Sequence, residues 1–391
     1  MNTRIHSIDI LRGLTIFLMI FVNNIGSTIG TPQWLKHMPK EISGMTFVDV
    51  IFPAFLMIMG MSIPTATERM LAKGVTVPQI LWSIVLRSTS LIYLGVMKIN
   101  AQVAAIEGWP DGLYLSLSYL AVFAVWFHSP HSSPKAIRNG RIIRAAGAIT
   151  LAALYFLFDS EKNGAAWSIP WWGILGILGW AYLAAASLYL AIRARMLPLS
   201  IVTLVLFACV FALKEGLFKE IWILQKTTLM DGRPFLAMLG VLIGTQLLPQ
   251  QNRTPKQIIQ WCAIAATLCF IGGYLTTPIY GIHKIGASPA WLLYSAAWTI
   301  VCWVIFYWLA DIKKQTNIGF TCFANLGGTP LLAYLLSYWI LQIFTLTGFM
   351  ATWNSWAKIN FTTGCLKTLV YTIICSLIGT FLLKKKLRLK L

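Results

Sequence analysis

The chain alternates long apolar stretches with short polar connections over its whole length. A helix needs about 20 apolar residues to cross the hydrocarbon core of a bilayer. This pattern predicts an all-α, polytopic integral membrane protein, a helical bundle of about twelve transmembrane helices, or about eleven if the weak stretch at 198–214 is not a span. The apolar stretches lie near residues 8–29, 46–66, 79–97, 112–128, 142–159, 169–192, 198–214, 234–249, 257–277, 290–310, 326–348 and 363–383.

The composition agrees with a membrane protein. Hydrophobic residues make up 58% of the chain, charged residues 11%, and the mean hydropathy is +0.72. A soluble domain carries roughly 25% charged residues. No stretch has the composition of a soluble domain or of a cleavable signal peptide. Residues 1–391 are therefore predicted to form a single transmembrane domain.

The net charge of +19 invites a nucleic-acid function, but the distribution of charge argues against it. Most Lys and Arg residues fall in alternate connections, as the positive-inside rule requires. Both the N- and the C-terminus are therefore predicted to be cytoplasmic. The basic tail at 384–390 is explained by attraction to anionic lipid, with phosphate binding as an open alternative. The seven cysteines show no metal-binding spacing, and no metal site is predicted.

The first two apolar stretches carry an unusual set of polar residues. Asn23 and Asn24 end the first stretch, His37 lies in the connection, and Asp49 begins the second just before Pro53. Two consecutive spans would bring these side chains to one membrane surface. An Asp at the centre of a membrane helix costs about 2.5–3.5 kcal/mol, so such residues indicate a functional site.

These residue types suit acid–base chemistry. The imidazole of His37 can accept a proton near neutral pH, and the carboxylate of Asp49 can orient the ring. Asn23 can donate to an oxyanion. The structural alternatives are an ordinary loop histidine, an Asp49–Lys ion pair, and amides of Asn23 and Asn24 that satisfy the last carbonyls of a helix.

Basic residues near the cytoplasmic surface offer a second type of chemistry. Asp9 and Arg12 are three residues apart and are expected to pair with each other or with a neighbouring helix. Arg87 lies inside the third apolar stretch, where its side chain can extend to the membrane surface or meet an anionic ligand.

Three further polar residues lie outside these groups. Glu107 and Asp111, in an outer connection, can bind an amino sugar or belong to a solvated loop. Asn325 lies at a polar break before an apolar stretch, where it can face a central cavity or cap a helix.

The N-terminal motifs resemble the heparan-alpha-glucosaminide N-acetyltransferase family, including bacterial relatives of the DUF5009 type. The pattern R-x-x-S-x-D-x-x-R-G is matched from Arg4 to Gly13, and V-N is matched at 22–23. The pattern G-x-T-x-x-D-x-x-F-P-x-F is matched at 44–55, with Gly60 beyond it. The resemblance covers about the first 65 residues. It implies that the helix pair 1–66 carries a catalytic loop at 30–45.

The resemblance implies particular roles. His37 is the catalytic residue, with Asn23 and Asp49 beside it. The connection from His37 to Gly44 is two residues longer than the family pattern and lacks its Trp. This difference indicates either another acceptor or loss of activity.

The resulting hypothesis is a transmembrane acetyltransferase that moves the acetyl group of cytoplasmic acetyl-CoA to an amino sugar or related glycan on the other side. His37 acts as general base or acetyl carrier, and N- and O-acetylation both stay open. The expected acetyl-CoA-binding residues are Arg12, Arg87 and Asn325. The expected acceptor-binding residues are Asn24, Glu107 and Asp111.

Two other classes of protein remain open at the sequence level. A twelve-span secondary transporter would use the Asn23, His37 and Asp49 cluster for proton or substrate coupling. A non-catalytic membrane scaffold would neither bind a ligand nor catalyse a reaction. The compact chain suggests a location in a bacterial inner membrane. The lipid bilayer is then a further partner, and formation of a homodimer stays open.

Overall fold

A computed structural model describes residues 5–128, 133–160, 164, 166–217, 220–221, 226–315, 317–385 and 388–389. Within these ranges the chain is almost wholly helical, which confirms the predicted all-α class. The helices are α1 His6–Ile25, α2 Phe47–Ala72, α3 Val77–Ala101, α4 Leu113–Trp126, α5 Pro134–Phe156, α6 Gly173–Ile192, α7 Met196–Lys214, α8 Arg233–Gln246, α9 Pro255–Tyr280, α10 Pro289–Phe306, α11 Ile318–Leu326, α12 Pro330–Leu346, α13 Phe349–Ala357 and α14 Phe361–Lys384.

Short elements complete the described chain. Two 3₁₀ turns lie at Gln33–Leu35 and Pro249–Gln251, and a π-helical turn at Tyr307–Ile312 extends α10. A two-residue antiparallel pair joins β1, Phe127–His128, to β2, Arg388–Leu389.

Every one of the twelve predicted apolar stretches contains a helix, but fewer helices have the length and composition of a span. Eight described helices meet that standard, or up to nine if α11 and α12 form one span bent by 82°. The described spans are α1, α2, α3, α6, α7, α9, α10 with its π-helical turn, and α14.

The difference in span count has a local cause. The helices α4 and α8 have 14 residues each, which is fewer than the roughly 20 needed to cross the hydrocarbon core. Helix α5 carries Lys135, Arg138, Arg141 and Arg144 along its first half. The prediction that the stretch at 198–214 is the weakest span is wrong. This stretch forms α7, the most apolar of the described spans.

The chain divides into two compact units. The first unit comprises Met1–Thr15, Pro32–Ser90 and Ile177–Ala324, and the second comprises Ile16–Thr31, Leu91–Gly176 and Asn325–Leu391. The prediction of one domain over 1–391 remains a prediction.

Glycines bring α2 and α8 together in the first unit. A Cβ on Gly60 would overlap the carbonyl oxygen of Ala237, and one on Gly240 would overlap that of Met57. Small residues allow membrane helices to approach closely enough for backbone contact. Gly60, part of the N-terminal motif, therefore has a packing role that holds α2 in place.

In the second unit, α12 packs against α4, α13 and α14. A Cβ on Gly95 of α3 would overlap the carbonyl oxygen of Trp172, just before α6 begins. Asn100, fully buried near the end of α3, donates to the carbonyl oxygen of Ser168 at 2.9 Å and accepts from its backbone N–H at 2.8 Å. These contacts fix the end of α3 within this unit.

Candidate active site

The start of α2 places Asp49 inside the first unit. Thr46 is the N-cap residue and forms a capping box with Asp49, which lies at the third helical position. The backbone N–H of Thr46 donates to Oδ2 of Asp49 at 3.1 Å. A carboxylate in the first turn also faces the positive end of the helix dipole. The local sequence thus fixes an acid that is only 1% exposed.

The connection before α2 folds around this carboxylate. Nδ1 of His37 lies 2.7 Å from Oδ1 of Asp49, and the backbone N–H of Met38 donates to Oδ2 at 3.1 Å. The hydroxyl of Thr46 donates to the carbonyl oxygen of Lys36 at 2.7 Å. Since an ionised carboxylate only accepts hydrogen bonds, Nδ1 carries the proton of the neutral ring and Nε2 keeps a lone pair.

A third charged side chain, Lys284, completes the cluster. Its Nζ lies 2.9 Å from Nδ1 and 3.2 Å from Nε2 of His37, and 3.6 Å from Oδ1 of Asp49. Burial lowers the pKa of Lys284, and the Asp49 carboxylate offsets part of that shift. The Asp49 side chain is fully enclosed, whereas the His37 side chain is 51% exposed. The cluster thus joins an enclosed carboxylate to a half-exposed imidazole that an ammonium also contacts.

Two loops that are far apart in sequence meet beside the cluster. The backbone N–H of Gly44 donates to the carbonyl oxygen of Ile282 at 2.9 Å, and the N–H of Ile282 donates to Oγ of Ser43 at 2.9 Å. Gly281 ends α9 with a φ of +61°, a conformation that favours glycine. These contacts hold the loop that carries Lys284 against the loop that follows His37.

Asn23 and Asn24 are described in the second unit. The amide of Asn24 donates to the carbonyl oxygen of Ile20 at 2.8 Å, which is the structural alternative foreseen for it. Asn23 is exposed and donates to the hydroxyl of Tyr338 at 3.1 Å. Its position beside His37 remains a prediction.

The expected acetyl-CoA-binding arginines have protein partners. Arg12 Nη1 lies 3.1 Å from Oδ1 of Asp9, which confirms the expected ion pair, and Arg12 also donates to the hydroxyl of Ser62. Arg87 donates to the hydroxyl of Tyr182 at 3.4 Å and lies 5.5 Å from the centroid of that ring. Their part in binding acetyl-CoA remains a prediction.

The remaining predicted residues lie in turns or at helix ends. Glu107 and Asp111 are exposed in the connection between α3 and α4. Asn325 lies in the last turn of α11, at the break before α12, and its carbonyl oxygen accepts from the N–H of Gly328 at 3.0 Å. Their ligand roles remain predictions. The first motif residue, Arg4, and residues 386, 387 and 390 of the basic tail lie outside the described residues.

Sequence reasoning missed Lys284. The signal is weak: a single Lys in the sequence GIHKIG at 281–286, in a connection predicted to face the same side as His37. Only the folded chain shows that this connection reaches a histidine 247 residues away.

The helices and the His–Asp–Lys cluster define a polytopic helical membrane protein with a histidine oriented by a buried carboxylate. A family model described as a domain of unknown function, DUF5009, matches residues 4–224. That range is more than half of the chain, and the chain belongs to this family.

Two curated relatives add a functional comparison. The chain is 38% identical over 97 residues to heparan-alpha-glucosaminide N-acetyltransferase of Mus musculus, and 36% identical over 97 residues to that of Homo sapiens. The matched region is 25% of this chain and 14% of each relative. The chain therefore spans only a small part of the relatives that it matches, and the similarity to an N-acetyltransferase is partial.

Proposed function

We propose that the protein is a transmembrane acetyltransferase that uses acetyl-CoA as donor and an amino sugar or related glycan as acceptor. The observation that carries the proposal is the 2.7 Å contact between Nδ1 of His37 and the enclosed carboxylate of Asp49. An imidazole held in this way in a half-exposed position has the arrangement of an oriented general base once Lys284 leaves its Nε2. The partial similarity to an N-acetyltransferase supports the reaction class.

The proposed reaction is aminolysis of a thioester. The acceptor nitrogen forms a bond to the acetyl carbon while the carbon–sulfur bond breaks. His37 takes the proton from the acceptor nitrogen at Nε2 and passes it to the leaving thiolate. Asp49 holds the ring and stabilises its protonated form. A two-step route through an acetylated His37 uses the same residues and stays open.

Lys284 has a place in this scheme. Its ammonium contacts Nε2 of His37 at 3.2 Å, so Lys284 must release that nitrogen before the ring can accept a proton. Once released, a cation beside the base stabilises the negative charge that develops on the acetyl oxygen. Sequence reasoning assigned that role to Asn23, and for that residue it remains a proposal.

The remaining residues of the scheme bind the two substrates. Arg12 and Arg87 supply positive charge for the phosphates of acetyl-CoA. Arg12 would do so while paired with Asp9, and Arg87 while bonded to the hydroxyl of Tyr182. Asn325 belongs to the same proposed set. For the acceptor, the proposed residues are Asn24, Glu107 and Asp111. The proposed setting is a bacterial inner membrane, with a homodimer as the assembly to be tested.

The test uses purified protein in detergent. Acetyl-CoA binding is measured by calorimetry, and transfer of labelled acetyl groups to glucosamine is measured for the wild type, His37→Ala and His283→Ala. His283→Ala is a matched control, because it removes an imidazole from the neighbouring loop of the same unit. We expect all three proteins to bind acetyl-CoA and only His37→Ala to lose transfer. Transfer by His37→Ala at the wild-type rate would overturn the proposal.

The transporter alternative makes a different prediction. The His37 cluster lies at the start of α2, whereas coupling sites of secondary transporters lie near the middle of the membrane. Solute uptake into vesicles without acetyl-CoA, together with no transfer by the wild type, would favour a transporter.

A further inference from the structure

The second unit contains a cation, Lys98, for which the described residues offer no acidic partner. Lys98 lies in the last turn of α3, and its Nζ donates to the hydroxyl of Tyr334 at 3.3 Å. The same nitrogen lies 3.2 Å from the ring centroid of Tyr338 and 5.0 Å from that of Tyr334. In the described part of the chain no carboxylate lies within ion-pair distance of Lys98. The negative faces of two rings are its electrostatic partners.

Further polar groups lie beside these two rings. The rings of Tyr334 and Tyr338 lie 5.1 Å apart at 68°, and the hydroxyl of Tyr338 accepts from the amide of Asn23 at 3.1 Å. Tyr119 is fully buried on α4, which packs against α12, the helix that carries Tyr334 and Tyr338. Its hydroxyl has no hydrogen-bond partner among the described residues. Buried hydroxyls are almost always hydrogen-bonded, so this one calls for a partner.

Packing alone explains only part of this arrangement. A Lys in the last turn of a helix is favoured by the helix dipole, and the aromatic rings attract its charge. Neither effect supplies an acceptor for the hydroxyl of Tyr119. An ammonium, phenol hydroxyls and a carboxamide within one cluster are the donor groups that recognise anionic oxygens.

We propose that the cluster of Lys98, Tyr119, Tyr334, Tyr338 and Asn23 binds an oxyanion, namely a carboxylate, phosphate or sulfate group of a ligand. The ammonium of Lys98 provides the charge and the hydroxyl of Tyr119 a hydrogen bond. The topology predicted from the sequence places Lys98 near the non-cytoplasmic end of α3. Two sources share this chemistry: a soluble acid such as a sugar acid or phosphate, and the head group of an anionic lipid. The proposal does not depend on acetyl transfer.

The test compares four proteins: the wild type, Lys98→Met, Tyr119→Phe and Lys358→Met. Lys358 is an exposed residue of the same unit, so its substitution controls for loss of one positive charge. Calorimetry and thermal unfolding in a neutral detergent use glucuronate, inorganic phosphate and sulfate as probes, with glucose as the neutral control. A second arm compares Tm in nanodiscs of phosphatidylglycerol and of phosphatidylcholine.

We expect an oxyanion to bind the wild type and Lys358→Met equally. Lys98→Met should bind at least ~10-fold more weakly, since it removes the only formal charge of the cluster, and Tyr119→Phe should weaken binding less. Without ligand, Lys98→Met should have a Tm close to that of the wild type, because removal of the half-buried charge ends its desolvation cost as well as its cation–π contacts. If Lys98→Met does not fold, Tyr119→Phe carries the comparison.

The outcomes separate the sources of the oxyanion. Binding of glucuronate, phosphate or sulfate would assign a soluble ligand. A Tm increase in phosphatidylglycerol that is confined to proteins with Lys98 would assign a lipid head group. The proposal is refuted if the wild type responds to none of these probes, or if Lys98→Met responds as strongly as the wild type.

Discussion

Replacement of Asp49 by Asn tests the proposed orientation of His37. Asn keeps the shape of the side chain but offers a single acceptor oxygen. The backbone N–H groups of Met38 and Thr46 both donate to Oδ2, so the amide oxygen is expected to take that position. The NH₂ group then faces Nδ1 of His37 and can only donate. The ring must therefore carry its proton on Nε2. That nitrogen then has no lone pair with which to take a proton from the acceptor.

The size of the effect follows from these contacts. A positioned general base contributes about 10²–10⁴-fold to a rate, and we expect Asp49→Asn to lose most of that factor. The substitution also replaces an ionised acceptor by a neutral one in a fully enclosed site. Loss of one charge-assisted hydrogen bond lowers the free energy of unfolding by about 1.5–3 kcal/mol. A large fall in rate with a modest fall in stability is the expected combination.

The assay measures acetyl transfer to glucosamine at saturating acetyl-CoA, and thermal unfolding of the same samples. Asp311→Asn is the matched control. Asp311 also accepts two backbone N–H groups, from His6 at 2.8 Å and from Ser7 at 3.0 Å, and its described hydrogen bonds include none to a histidine ring. We expect Asp311→Asn to lower stability while leaving the rate within about threefold of the wild type.

One result would refute this reasoning. If Asp49→Asn keeps a transfer rate within about threefold of the wild type while its Tm falls, Asp49 is a helix cap and does not orient a base. The contacts of Thr46 and Met38 would then account for its burial. His37 would lose its proposed role as well.

Two further predictions concern Lys284 and Gly60. Burial lowers the pKa of Lys284 below its ordinary value of 10.5. Between the lowered pKa and 10.5, the unfolded chain therefore binds more protons than the folded protein. The free energy of unfolding of the wild type should rise as the pH is raised across that window. Lys284→Met should lose this gain in Tm scans at alkaline pH, and an equal gain in the variant would contradict the assignment. Gly60→Val should destabilise the protein by more than Gly140→Val, since a Cβ at Gly60 overlaps the carbonyl oxygen of Ala237, whereas the nearest atom to a Cβ at Gly140 is the end of the Arg144 side chain at 4.0 Å. Thermal unfolding and yield after size exclusion would show the difference, and equal stability of the two variants would contradict the packing role.

Local sequence patterns predict the parts of the structure that local physics decides. Apolar stretches gave the helices, because a membrane helix satisfies its own backbone hydrogen bonds. Thr46 and Asp49 are three residues apart before an apolar stretch, which is the pattern of a capping box. Asp9 and Arg12 pair because residues three apart are neighbours on a helix.

Helix ends and long-range contacts depend on more than local pattern. The apolar stretch at 326–348 does not show that the chain bends by 82° between α11 and α12. Likewise, nothing near Lys98 in sequence indicates Tyr334 and Tyr338, which lie more than 230 residues further along the chain. Such contacts depend on how helices pack, and apolar periodicity alone does not specify which faces meet.

The longer connection between His37 and Gly44 gains a meaning from the fold. Sequence comparison alone left two interpretations of it, a different acceptor or loss of activity. Ser43 and Gly44 bond to Ile282, and this contact holds the loop from which Lys284 reaches His37. The segment that departs from the family pattern is therefore also the segment that brings a second charged group to the base. For the proposed enzyme, that connection favours a different acceptor over loss of activity, since the His37–Asp49 contact is present beside it.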